Sequence, residues 1–253
     1  MIFLRDTWIV FARAFRLSLR NPAWVIIGLM QPVLYLVLFG PLLESVAAVP
    51  GFPPGDAWAV FVPGLLIQLG MFGAVFIGFG LIAEWRAGVI ERMRVTPASR
   101  VALIGGRVMH DVVVVFVQGA VLVLAALLFG FRAPFGAVLL GLVLISVLAA
   151  AFSSLSYAAA LWLKSEDALA PLANAVALPL LLLSGILLPM SLAPGWLSFI
   201  ADINPIKHVV DAARAIFRSE FLSITSLGGI VIAILLVLVS GWIGVWMFRR
   251  EAN

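Results

Sequence analysis

Long apolar runs alternate along this chain with short segments rich in proline, glycine or charge. Six runs approach the roughly twenty residues that a helix needs to cross a hydrocarbon core of about 30 Å. They are 23–43, 58–83, 109–129, 135–163, 168–188 and 223–248. The pattern predicts an all-α membrane protein with six transmembrane helices in a single domain, 1–253. An even number of spans returns both ends to one side.

Two regions have a different pattern. At about 100° per residue, Leu4, Trp8, Phe11, Ala12, Phe15 and Leu19 share one face of 2–20, while Arg5, Asp6, Arg13, Arg16 and Arg20 share another. An amphipathic helix of this kind lies in the interface plane, with its arginines near anionic headgroups. It is either a juxtamembrane anchor or an elbow that sets the first span against a cytoplasmic partner. The second region, 189–222, holds two helices too short to span. Pro194 starts one; Asn204 caps the other, with Pro205 in its first turn. In the latter, Ile206, Val209, Val210, Ala213, Ile216 and Phe217 follow helical spacing, with Lys207, Asp211, Arg214 and Arg218 on the other side. The two pieces are expected to lie at or dip into the outer leaflet as re-entrant helices, an ordinary amphipathic surface hairpin being the alternative.

Charge chooses the orientation. With both ends inside, the cytoplasmic face carries Arg5, Arg13, Arg16, Arg20, Arg86, Arg92, Arg94, Arg100, Arg107, Lys164, Arg249 and Arg250. The other face keeps Arg132, Lys207, Arg214 and Arg218, so 12 of the 16 basic residues are inside, as the positive-inside rule requires. Residues 1–20 carry charge throughout and lack the apolar core and cleavage site of a signal peptide.

Composition agrees: 64% of residues are hydrophobic and 11% charged, too little charge to cover a soluble domain. The net charge of +4 is no nucleic-acid signal, because its placement follows the membrane. Arginine outnumbers lysine heavily, a usage associated with GC-rich bacterial genomes, and the expected location is the bacterial plasma membrane. There is no cysteine, which excludes disulfides and thiolate chemistry. Two histidines, His110 and His208, are too few for a multi-histidine metal site of three or four ligands. No Gly-Lys dipeptide occurs, so the chain has no P-loop. Asp111 is the one acidic residue inside a predicted span, two residues from its start and beside His110 and Arg107. It reads as a boundary charge reaching water or a neighbouring arginine. The competing reading is a proton or cation site, and with it an ion-coupled secondary transporter.

Within the spans, Ala150, Ser154 and Ala158 form a small-residue stripe suited to close helix contact. Gln68, Met71, Phe72, Phe76 and Phe79 could line an apolar path or simply pack, as could Asn174, which stands between Pro171 and Pro179 in the fifth run.

The richest segment is 84–100. It opens as an amphipathic helix, with Trp85, Val89, Ile90 and Met93 apolar, and Thr96-Pro97 stops it. Ser99 is placed to cap the helix leading into the third span. The pattern Glu84-x-Arg86-x-Gly88-x-x-Glu91-Arg92-x-x-x-Thr96-Pro97-x-Ser99-Arg100 resembles the cytoplasmic loop of ABC-2 type permeases, the daunorubicin-exporter-like group in particular. Asn204-Pro205-x-x-x-x-Val210-Asp211-x-x-Arg214 is similar to that family's outer loop before the last span. Span count, amphipathic start and loop placement extend the resemblance over essentially the whole chain. Met93-Arg94 departs from it, standing where a leucine pair is more usual, and bears on the fit to a partner.

The resemblance implies an exporter subunit with no catalytic activity of its own. The 84–100 segment would form a coupling helix docked on a separate ABC ATPase through Glu84, Arg86, Gly88, Glu91, Arg92, Thr96 and Pro97. ATP and Mg would act through that partner, and the permease itself would hold no cofactor. Residues Asn204, Pro205, Asp211 and Arg214 would form the outer gate. A second copy, or a homologous permease, would complete a path between second and fifth spans, with Gln68, Phe72, Phe76 and Asn174 as candidate lining. The expected cargo is a hydrophobic or amphipathic drug or lipid, a lipid-linked glycan or polysaccharide being the alternative.

Overall fold

A computed structural model describes residues 2–21, 23–46, 57–88, 100–187 and 189–250. Among them no strand occurs, and the helices run in order α1 (Ile2–Arg20), α2 (Ala23–Val46), α3 (Ala57–Val75), α4 (Gly78–Arg86), α5 (Arg100–Leu128) and α6 (Phe135–Leu163). Then come α7 (Glu166–Leu182), a 3-10 turn (Met190–Leu192), α8 (Gly195–Ile203), α9 (Pro205–Phe217) and α10 (Ile224–Arg250). Five stretches are long and apolar enough to cross a membrane: Val25–Leu42, Ala57–Arg86, Val101–Leu128, Phe135–Leu163 and Ile224–Phe248.

The apolar runs differ in what they pack against. Helix α6 is the hub, packed against α3, α4, α5 and α10. Its buried alanines and serines, such as Ala149, Ser153 and Ala160, let those neighbours approach closely. The predicted small-residue stripe is used: Ser154 and Ala158 are buried, and Gly244 of α10 lies against the Ser154 carbonyl. Helices α2 and α10 instead turn most of their apolar side chains outward, including Ile27, Met30, Leu34, Leu38, Leu235, Leu238 and Trp242. In water such faces would drive aggregation; in a bilayer they meet lipid or another apolar helix.

Three predicted spans differ in detail. The second is two helices, because Phe76 and Ile77 form a tight turn between α3 and α4. The break is closed by one hydroxyl from α6. Ser156 Oγ donates to the Val75 carbonyl at 2.5 Å and accepts from the Gly78 amide at 2.9 Å. The third span belongs to a helix that starts at Arg100, so Asp111 lies eleven residues inside it, about 16 Å along the axis. The fifth stops at Leu182, six residues before its predicted end. Pro179 removes one helical donor, and the chain turns through Gly185 at φ 74°.

Helix α1 has three faces rather than two. Thr7, Val10 and Ser18 lie against α5. Leu4, Trp8 and Leu19 are exposed as an apolar strip. Arg13, Arg16 and Arg20, with Trp8 and Leu17, line an open groove of about 450 Å³.

Candidate functional site

The predicted docking segment begins on α4. Its helix closes at Arg86 through Ala87 and Gly88, earlier than the sequence pattern suggests, because Gly88 adopts φ 68°, a left-handed conformation that glycine takes at little cost. Glu91, Arg92, Thr96 and Pro97 lie outside the described residues, as does Ser99.

The described part of the segment is held on two sides. Glu84 pairs with Arg107 of α5, and both side chains are partly buried. Arg86 pairs with Glu166 at the start of α7, at 3.4 Å and in the open. Lys164, in a left-handed conformation at the end of α6, stands 5.6 Å over the Trp85 ring, a cation–π distance. Helix α4 therefore contacts three different elements within one turn.

Arg107 is thus committed to Glu84, and Asp111 is not the boundary charge expected. It is buried at 4% exposure and bound by neighbours other than arginine. Tyr157 Oη of α6 donates to its Oδ2 at 2.7 Å, and His110 Nδ1 stands 3.0 Å from its Oδ1. His110 Nε2 in turn meets Ser18 Oγ of α1 at 2.7 Å. Serine, histidine and aspartate in this order invite comparison with a hydrolase. The polarity is wrong for that chemistry: Ser18 sits in the last turn of α1, the negative end of the helix dipole, which would repel an oxyanion.

At the opposite end of the bundle, Asn204 caps α9 as expected, its Oδ1 accepting from the Ile206 amide at 3.0 Å. Its Nδ2 also donates to the Leu180 carbonyl at 2.9 Å. Pro205 occupies the first turn of α9. The apolar face of α9 is buried as its spacing predicts. Arg214 is not on the exposed polar side, however. Only 4% exposed, it donates from Nε to the Val60 carbonyl of α3 at 3.0 Å and from Nη2 to the Gly185 carbonyl at 2.6 Å. The reason is reach: from the edge of the apolar face, a guanidinium extends to Val60 on α3 and to the Gly185 carbonyl that the early end of α7 leaves open. Burial pulls its pKa down to about 10, against the nearby Asp211 carboxylate, so it stays charged at neutral pH. Asp211, 3.8 Å from Arg214, has its own pKa raised by burial, with Arg214 opposing. On the exposed side, hydrogen bonding from Lys207 holds Asp202 below the usual carboxylate range.

The candidate path residues do not share one open surface. Gln68 is 1% exposed, and neither its amide nitrogen nor its oxygen has a hydrogen-bond partner. Phe72 and Phe76 are partly buried in a ring ladder that continues to Phe79. Asn174 is exposed on α7. No group of three or more metal-ligating side chains occurs among the described residues.

Known proteins share this pattern. A family model described as ABC-2 type transporter matches residues 5–217. A putative transport permease ycf38 of Cyanophora paradoxa is 26% identical over 228 residues, covering 89% of this chain and 79% of that protein. The daunorubicin resistance ABC transporter permease protein DrrB1 of Streptomyces coeruleorubidus is 28% identical over 199 residues, covering 78% of this chain and 69% of that one. A second ycf38 permease, from Pyropia yezoensis, is 28% identical over 205 residues, 79% of this chain and 69% of its own.

Proposed function

The chain belongs to the ABC-2 type transporter family, a multi-pass membrane permease, and we propose that it is the membrane-spanning subunit of an ATP-driven exporter of hydrophobic or amphipathic molecules, drugs or lipids. Both ends face the cytoplasm of a bacterial cell, where separate ABC ATPase subunits bind 84–100. A second copy, or a homologous permease, completes the path along Phe72, Phe76 and Asn174, with the unpaired Gln68 amide as its polar element. Asn204, Pro205, Asp211 and Arg214 close the outer side. The groove of Arg13, Arg16 and Arg20 faces lipid headgroups.

The observation that carries the reading is the setting of α4. A docking segment must pass force to the spans rather than flex freely in solvent. Helix α4 is tied to α5 by Glu84–Arg107 and to α7 by Arg86–Glu166. It is also separated from α3 by a break at Phe76–Ile77. Breaks of this 3-10 type recur at hinges. Movement of 84–100 would thus turn α4 about that point, while α3 stays packed in the core. A cargo drives such a cycle only through unequal affinity for its two states.

The test is reconstitution with a partner ATPase in proteoliposomes, using daunorubicin and fluorescent phospholipid as probes. ATP-dependent movement of one probe is expected, and Glu91→Ala or Arg92→Ala should abolish it while the protein still reaches the membrane. Wild-type transport by both variants would remove the docking role. One observation favours a second reading: Asp111 lies deep in α5 with no arginine or lysine bound to it. An ion-coupled transporter would work without any ATPase and stop in Asp111→Asn.

A further inference from the structure

The hydrogen-bonded chain Ser18–His110–Asp111–Tyr157 has no part in docking or in the path, yet it joins three helices in a buried place. We propose that His110 and Asp111 are positioning residues that clamp helix α1 to α5 and α6, so that α1, α4 and the adjoining ends of α5 and α6 move as one body.

The clamp follows from contacts on four elements. The backbone of α1 lies so close to α5 that a Cβ on Gly106 would stand 2.6 Å from the Thr7 carbonyl and 2.7 Å from Val10 Cβ. Any larger residue there would push the helices apart. One turn on, the His110 ring bridges the two helices, with Ser18 Oγ at 2.7 Å on one nitrogen and Asp111 Oδ1 at 3.0 Å on the other. The remaining Asp111 oxygen takes the Tyr157 hydroxyl of α6 at 2.7 Å. A carboxylate at 4% exposure needs such donors, since an unpaired one in an apolar setting is costly. In the tautomer with its proton on Nδ1, His110 donates to Asp111 and accepts from Ser18, so each group in the chain has a partner. Arg107, one turn earlier on α5, carries the same connection to α4 through Glu84.

The geometry gives α1 a role beyond lying in the interface. Its Leu4, Trp8 and Leu19 are exposed, and a helix with such a face follows the bilayer surface unless it is clamped. With the clamp it follows α5. The consequence for coupled transport rests on the exporter reading, whereas the clamp itself does not.

The chain has no cysteine, so spin labels can be placed directly, on Arg16→Cys in α1 and Trp162→Cys in α6, both exposed. Pulsed electron–electron distances would be measured on the full chain in lipid nanodiscs. The parent should give one narrow distribution. Ser18→Ala and Asp111→Asn should each raise the detached population of α1 several-fold, about the worth of one ordinary hydrogen bond. Ser18→Thr, which keeps the hydroxyl, should restore the narrow distribution, a rescue that general loosening of the fold would not show. Ser18→Ala changes one atom at a helix surface, so misfolding does not obscure the result. Unchanged distributions in both Ser18→Ala and Asp111→Asn would overturn the clamp. Adding the ATPase then separates the two ideas. Broadened labels with no ATPase binding would leave the clamp standing and remove the exporter reading. Unchanged labels with intact ATP-driven probe transport would do the reverse.

Discussion

Methionine in place of Arg214 tests whether α9 holds the ends of α3 and α7 together. The side chain donates at 3.0 Å to Val60 and at 2.6 Å to Gly185, with a third, long contact to Ile186 at 3.5 Å. Val60 lies in the first turn of α3 and keeps a helical partner when Arg214 is removed. Gly185 lies in the turn after α7, so its carbonyl would lose a charged donor. A hydrogen bond from a charged group contributes about 1.5–3 kcal/mol net of the cost of burying the donor. With one bond counted in full and the other in part, Arg214→Met should cost about 2–4 kcal/mol. Arg214→Lys retains the charge but cannot span both carbonyls, and should cost about half as much. Equilibrium unfolding in mixed micelles, followed by tryptophan fluorescence, gives the total. Hydrogen exchange gives the location: amides at 57–64 and 180–187 should exchange faster, while those of α10 should not. A methionine variant within about 0.5 kcal/mol of the parent, the usual range of a surface change, would refute the latch. So would a loss of protection spread evenly over all helices.

Ser156→Ala removes the hydroxyl that closes the α3–α4 break, leaving the Gly78 amide unpaired. It should lower stability by about 1–2 kcal/mol, read from the unfolding midpoint, and an unchanged midpoint would mean the break needs no closure. Asp211 titrates above its ordinary value because of burial, so its charged form disfavours the fold at neutral pH and that penalty fades as pH falls through the raised pKa. Asp211→Asn should flatten this rise in stability on mild acidification; an identical pH profile in the variant would contradict it. Gln68→Met replaces a buried amide that lacks partners with an apolar side chain of similar length. Stability should hold or rise by about 1 kcal/mol while probe transport falls, and a clear loss of stability would show that the amide is satisfied.

Elements with a repeating pattern were legible in the sequence, and single long-range contacts were not. The spans stand out by the length of their apolar runs, and α1 and α9 by apolar residues at a helical period. Asn204 announced itself as a cap because a short polar side chain before proline has few other roles. The same logic misplaces Arg214: angular position groups it with Lys207 and Arg218, and its length carries its head into the core. Its partner at Val60 is 154 residues away, and no local rule connects them. Likewise Ser156 reads as a packing residue until the break it closes, 81 residues earlier, is seen. Asp111 reads as a boundary charge because the apolar run starts only at Met109; the helix expected to lead into that run begins at Arg100, and α1 and α4 cover that side of it.

The order in which contacts would yield under load on α4 follows from their burial. Arg86–Glu166 is open to solvent on both sides, and such pairs contribute only about 0–1 kcal/mol. The α3–α4 break is next: its one hydroxyl bridge is worth about 1–2 kcal/mol, and bending there exposes little of the core. Glu84–Arg107 is partly buried, and separating it would leave a charge in a poorly hydrated place, a larger cost than either. Load on α4 should therefore free it from α7 first, then bend it at Phe76–Ile77, while it stays fastened to α5. The first helix to part from α4 is then α7, on which Asn174 faces outward. Charge reversal of the open pair, Arg86→Glu with Glu166→Arg, should restore the α4–α7 contact that Arg86→Glu alone breaks, read as the distance between spin labels on the two helices. Joining the same positions by a cysteine cross-link should stop transport, and transport that continues through the cross-link would show that α4 and α7 never separate.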